Sequence, residues 1–175
     1  MHKKWLCKFF IHVLWLGAIS CQTSEKSVEI VYPRMIGDSE FDPAQDSPDF
    51  VLCHTERSVI QYYAIGEKTY IGEKRAIIES FEKNYDPAIV KKESGLIRIR
   101  FIVNCNGNTG RFRINGMDPS YNERVFDPEI TNQLLAITKS LKDWKIYPEG
   151  DKRKRDYYMY LTFKIVDGQI KEILP

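Results

Sequence analysis

Residues 95–117 read GLIRIRFIVNCNGNTGRFRINGM and constrain the fold more than any other stretch. Ile97, Ile99, Phe101 and Val103 alternate with Arg98, Arg100 and Ile102. Successive side chains of a strand point to opposite sides of a sheet, so this period of two gives one buried face. Asn106-Gly107 follows, a dipeptide suited to the positive φ that a type I′ hairpin turn needs at both central residues. A second alternating run then comes: Arg111, Phe112, Arg113, Ile114, Asn115. A two-residue turn at Asn106-Gly107 fixes the register. Phe101 then faces Phe112, and Ile99 faces Ile114, on the buried side. On the other side Arg100 faces Arg113 and Ile102 faces Arg111. Like charges directly opposite one another are unfavourable. The outer face therefore requires carboxylates, aromatic rings or a partner.

The 175 residues suit one ordinary domain. Ten Tyr and nine Phe supply a real core, which excludes global disorder. The formal charge of +2 includes Lys3, Lys4 and Lys8 of an N-terminal segment that has no acid. Without those lysines the remainder holds one base fewer than its 24 acids. Such a balance does not make an electrostatic nucleic-acid binder.

That N-terminal segment, residues 1–21, reads MHKKWLCKFFIHVLWLGAISC. A basic front precedes an apolar run over 9–19, about half of the ~20 residues a spanning helix needs. The run ends in small residues, as a secretory signal does. Its end, LGAISC, resembles a bacterial lipobox with Ser20 at −1 and Cys21 at +1. That resemblance implies cleavage after residue 20 and a lipid on Cys21. Ala18 stands where Leu is commonest, so an ordinary small-x-small cleavage site also fits. Gln22 at +2 points to the outer membrane, with the protein facing the periplasm. A soluble periplasmic or a surface-exposed protein is the alternative. Cys53 and Cys105 are then the even pair left in an oxidising compartment. A bridge between them would add about 4 kcal/mol in the chain-entropy model. Two free thiols, or a metal site with His54, are the other readings, and the spacing matches no recognised metal motif.

Three segments follow: a signal over 1–20, a lipidated N-terminus and tether over 21–49, and one α+β domain over 50–175. Residues 22–49 are polar and punctuated by Pro33, Pro43 and Pro48. Residues 50–53 and 59–65 each read as a short strand. Ile77, Ile78, Phe81 and Tyr85 recur at helical spacing after Gly72. Asp127-Pro128-Glu129 is a helix start, since Asp caps, Pro suits the first turn and Glu suits the positive dipole end. Ile130, Leu134, Ile137 and Leu141 form one stripe behind it, closed by Trp144. The basic run 152–155 reads as a solvated loop. Residues 157–166, YYMYLTFKIV, form the last long strand. Asp167-Gly168 is a second hairpin signal, with 169–174 able to return as a terminal strand. The order helix, strand, hairpin, strand, helix, strand predicts a two-layer sandwich, a small antiparallel sheet with both helices on one face.

Residues 73–166 resemble the TonB C-terminal domain family. The resemblance rests on Gly95-Leu96-Ile97-Arg98-Ile99, on Asn106-Gly107 between alternating strands, and on Leu141-Lys142-Asp143-Trp144-Lys145 after the second helix. The basic loop before an aromatic-rich final strand adds to it. The resemblance implies the split β-α-β sheet and a periplasmic domain. It also implies a final strand able to pair with an extended receptor peptide. This chain departs from the energy-transducing members. Its leader reads as a lipoprotein signal, its tether is short, and 169–174 would lie along the edge a peptide needs.

No Gly-rich phosphate loop, serine elbow or metal-spaced cluster is present in the sequence. Cys53 and His54 are adjacent, and neighbours on a strand point to opposite faces, which argues against a nucleophile pair. The sequence therefore predicts no catalysis, cofactor or metal. The candidate binding residues are Arg98, Arg100, Arg111, Arg113, Tyr158 and Tyr160 on the outer face, since Arg and Tyr are enriched at interfaces and stack on one another. The competing reading is a wet face with internal Arg–Tyr stacking and carboxylates from the N-terminal segment. Residues 50–66, held by Cys53 and Cys105, would be an internal cover. The expected function is a non-catalytic, lipid-anchored interaction module with a protein partner in the envelope and no nucleic acid. The alternative is an accessory to TonB-dependent transport, acting by strand addition.

Overall fold

The computed structural model describes residues 39–66, 68–147 and 153–174. The signal segment, Cys21 and the first part of the tether lie outside the described residues. The fold is α+β. In chain order the elements are β1 (Ile60–Gln61), α1 (Glu73–Asn84), β2 (Gly95–Val103), β3 (Thr109–Met117), α2 (Pro128–Ser140), β4 (Tyr157–Val166) and β5 (Gln169–Leu174). The sheet runs β1-β4-β2-β3, with β5 also on β4. All pairings are antiparallel except the short parallel one between β1 and β4. Among the described residues, no helix is long and apolar enough to cross a membrane.

The alternation in β2 and β4 builds the core. Ile97, Ile99 and Phe101 from β2 join Met159, Leu161, Phe163 and Ile165 from β4, all at most 2% exposed. Ile77 and Phe81 from α1 and Ile130, Leu134 and Ile137 from α2 close over them. Burying each such side chain is worth about 1.5–3 kcal/mol. Aromatic contacts tie the layers together, Phe81 to Phe163 at 4.8 Å and Phe101 to Trp144 at 5.1 Å between centroids. The helix start at Asp127 is real: its carboxylate accepts the Glu129 N–H at 3.0 Å, and Lys91 lies 2.5 Å away. Those two contacts hold the Asp127 carboxyl below its ordinary range, Lys91 being the larger cause.

The two hairpin signals behave differently. Asp167 and Gly168 both have positive φ, 50° and 77°, and Val166 pairs with Gln169, so the two-residue turn forms there. At Asn106-Gly107 it does not. The Asn104 side-chain oxygen accepts the N–H groups of Asn106 and Asn108, each at 3.0 Å, and rounds the connection into a longer loop. One residue is thereby added, and β3 absorbs it in a bulge at Arg111, whose φ is 55°. Ile99 opposite Ile114 and Arg100 opposite Arg113 are as expected, but Ile102 faces Gly110 rather than Arg111.

The segment over 50–66 also differs from expectation. It contains no strand at 50–53, and the second expected strand shrinks to β1 between two 3-10 turns. The N–H groups of Cys53 and His54 donate to the Asp156 carboxylate instead of to a strand neighbour. The disulfide Cys53–Cys105, with Cα atoms 5.9 Å apart, anchors this segment beside the β2–β3 connection.

Candidate functional site

The outer face follows from the register. Arg98 lies opposite Thr162, Arg100 opposite Tyr160, and Ile102 opposite Tyr158. Gly110, Arg111 and Arg113 extend the face on β3, because the bulge leaves Gly110 and Arg111 on one side. Residues 39–59 form a strap over the end of this face nearest the β2–β3 connection. Phe50, Leu52 and Val59 pack on Ile102 and Tyr158, a second small core opposite the helices. Phe50 seats directly on Gly110, where an added Cβ would lie 2.1 Å from its ring. The Ser39 N–H donates to the Tyr158 hydroxyl at 3.1 Å.

The strap also answers the arginines. Arg113 grips both Asp46 carboxylate oxygens at 2.7 Å and donates to the Glu40 carbonyl at 2.8 Å. That grip holds the Asp46 carboxyl below its ordinary range and raises the Arg113 guanidinium. Arg111 pairs with Glu56 at 2.8 Å and donates to the Ser39 carbonyl at 3.0 Å. Arg100 stacks 4.2 Å from the Tyr158 ring centre and reaches Gln61 at 3.4 Å. The like-charge pair Arg100–Arg113 is therefore resolved by turning the two guanidiniums toward different partners. Residues 39–49 belong to the stretch read as a tether, yet here Ser39, Glu40 and Asp46 are bound to the sheet.

Among the described residues, the strap does not extend over the far end of the face. Arg98 is exposed and stands 5.3 Å from the Tyr160 ring centre, with its Nε–H directed at the Thr162 hydroxyl at 3.4 Å. It has no carboxylate partner among the described residues. The Tyr62 hydroxyl donates to that of Tyr160 at 3.2 Å, and their rings meet edge-on at 5.0 Å. Burial, then the Tyr160 hydrogen bond, pushes the Tyr62 phenol up to about 12, so it stays a neutral donor. Tyr63 sits 5.7 Å from Tyr62 and is 68% exposed. Lys164 is exposed two residues beyond Thr162 on the same face. The arrangement offers a guanidinium supported by an aromatic ledge, suited to a carboxylate flanked by apolar or planar groups.

Of the six binding residues read from sequence, the structure brings all to one face but splits them. Arg111, Arg113, Arg100 and Tyr158 are engaged by the strap or by β1. Arg98 and Tyr160 are left at the far end. Tyr62 and Tyr63 are missed by sequence reasoning, because they reach the face only through the turn after β1. Asp156 is missed too; its one sequence signal is an acid isolated between a basic run and an aromatic strand. No family model, curated protein or solved structure matches this chain.

Proposed function

We propose that the chain is a non-catalytic, lipid-anchored periplasmic protein-interaction module with a TonB-C-terminal-like fold. Its docking surface is the far end of the outer face around Arg98, Tyr160 and Tyr62. One observation carries this reading: of the four outer arginines, Arg98 alone is exposed and lacks a described side-chain acceptor other than the Thr162 hydroxyl. Arg and Tyr dominate interface energetics where they are held rigid, and stacking on Tyr160 holds Arg98. The guanidinium fork and neighbouring Lys164 suit an acidic segment of a protein partner. Strand addition on β4 has less support, because β1 covers its outer edge at Tyr157 and Tyr158 and β5 covers it from Thr162 onward.

The test is capture from detergent-solubilised native membranes with immobilised protein. Wild type retains a specific envelope protein. Arg98→Ser with Tyr160→Ala loses it while thermal unfolding stays unchanged. Equal capture by that double variant overturns the proposed face. Capture of TonB-dependent receptors that depends on the β4 edge, and not on Arg98, favours strand addition instead.

A further inference from the structure

A cleft of about 590 Å³ lies between the strap, the β3 edge and the C-terminal end of α2, and neither Arg98 nor Tyr160 lines it. Small-molecule sites span roughly 300–1,000 Å³. Phe50, Phe112, Ile114 and Leu135 give the cleft apolar walls, and Lys139 and Lys142 bring two ammonium groups to it. Phe112 stacks on Phe101 with ring centres 5.2 Å apart, which fixes one side of its ring against the core. Lys139 Nζ lies 5.4 Å from the Phe112 ring centre. Both lysines are exposed, and neither has a carboxylate partner among the described residues. The last turn of α2 accounts for a cation at Lys139 through the helix dipole, but Lys142 lies beyond the helix. Among the described residues the one acid lining the cleft is Asp46, and Arg113 already grips both its oxygens. Arg111 also lines the cleft, with its side chain 9% exposed. Its Nη groups go to the Ser39 carbonyl and to Glu56, while its Nε–H is buried without an acceptor.

We infer that this cleft binds a small organic anion, with a phosphate or carboxylate head on an apolar, preferably aromatic, body. Two ammonium groups without a counter-charge attract the head, and Lys binds phosphate as a point charge. The body rests on Phe112 and Ile114, which takes apolar area out of water. A neutral apolar molecule leaves both ammonium groups without an anion, and a bare anion leaves the apolar walls wet. The lining therefore asks for both parts in one molecule. An acceptor on the ligand would also satisfy the Arg111 Nε–H, a buried donor that is costly to leave unmade. The strap forms one wall, so the Arg113–Asp46 grip and the seating of Phe50 on Gly110 shape the cleft. The same head chemistry occurs in soluble metabolites and in phospholipid headgroups.

The experiment uses the full chain in phosphatidylcholine nanodiscs, with empty nanodiscs as the blank. 1-Naphthyl phosphate is titrated by calorimetry, beside inorganic phosphate as the head alone and 1-naphthol as the body alone. One 1-naphthyl phosphate binds per chain, and the head or the body alone binds at least about tenfold more weakly. Lys139→Gln with Lys142→Gln weakens 1-naphthyl phosphate at least about tenfold while thermal unfolding stays unchanged. Lys83→Gln with Lys92→Gln removes the same charge outside the cleft and leaves the affinity as in wild type. Dihexanoyl phosphatidylglycerol, below its micelle concentration, competes against the probe, with dihexanoyl phosphatidylcholine as its control. Displacement by the anionic lipid alone assigns the site to a lipid headgroup, and no displacement assigns it to a soluble anion. Absence of saturable 1-naphthyl phosphate binding, or unchanged affinity in the double lysine variant, overturns the site. Equal affinity for inorganic phosphate overturns the apolar half of the ligand.

Discussion

Replacing Arg113 with Ala removes the counter-charge from Asp46, whose side chain is 2% exposed while that of Arg113 is 21% exposed. Leaving a buried charge without its partner costs about 3–5 kcal/mol, and the partial exposure of Arg113 places this pair near the lower end, about 3 kcal/mol. A double-mutant cycle with Asp46→Asn at pH 7, read by urea unfolding, should give a coupling of about 2 kcal/mol. The exposed helix pair Arg75–Glu79, with side chains 88% and 58% exposed, serves as the internal reference and should show a coupling of no more than about 0.5 kcal/mol. The pH dependence has a definite sign. Arg113 lowers the folded pKa of Asp46 below its unfolded value of about 3.9. The stabilisation is then complete above that unfolded value and is lost as pH falls through the folded one. The gap between wild type and Arg113→Ala should therefore narrow below about pH 4. A coupling under about 0.5 kcal/mol at pH 7, or a gap constant down to about pH 3, would refute the view that Arg113 is a strap fastener.

Two further perturbations address the strap. Cys53→Ser with Cys105→Ser opens a loop of 52 residues, which should cost about 4 kcal/mol in urea unfolding while far-ultraviolet circular dichroism is retained; a loss below about 1 kcal/mol contradicts the loop-closure argument. Gly110→Ala drives a methyl to 2.1 Å from Phe50 and should cost about 2 kcal/mol by prising Phe50 off Ile102; wild-type stability in that variant means Phe50 does not seat there.

The core side of the fold is legible because period-two and helical patterns report burial directly. Ile97, Ile99, Phe101 and Phe163 face the helices, and Leu134 faces the sheet, where their spacing puts them. The hairpin register is legible up to Arg100 and Arg113 and then slips. Asn104 rewards a longer loop through a side-chain oxygen whose capture of two N–H groups no dipeptide rule anticipates. The outer face is harder to read, since its cover is distant in sequence. Ile102 on an otherwise charged face is the one local hint of a second core, and Phe50 has no periodic context to mark it as the lid. The four arginines look equivalent in the sequence. They differ only because Asp46 and Glu56 arrive from a segment more than fifty residues upstream, beyond the reach of any spacing argument.

In the proposed function Arg98 and Tyr160 face a partner while Arg111 and Arg113 serve the strap. Photo-crosslinking in intact cells tests it most directly, with a photoreactive residue placed in turn at positions 98, 160 and 113. One discrete envelope-protein adduct is expected from positions 98 and 160 and none from 113. Adducts from 113 with none from 98 or 160 would contradict it.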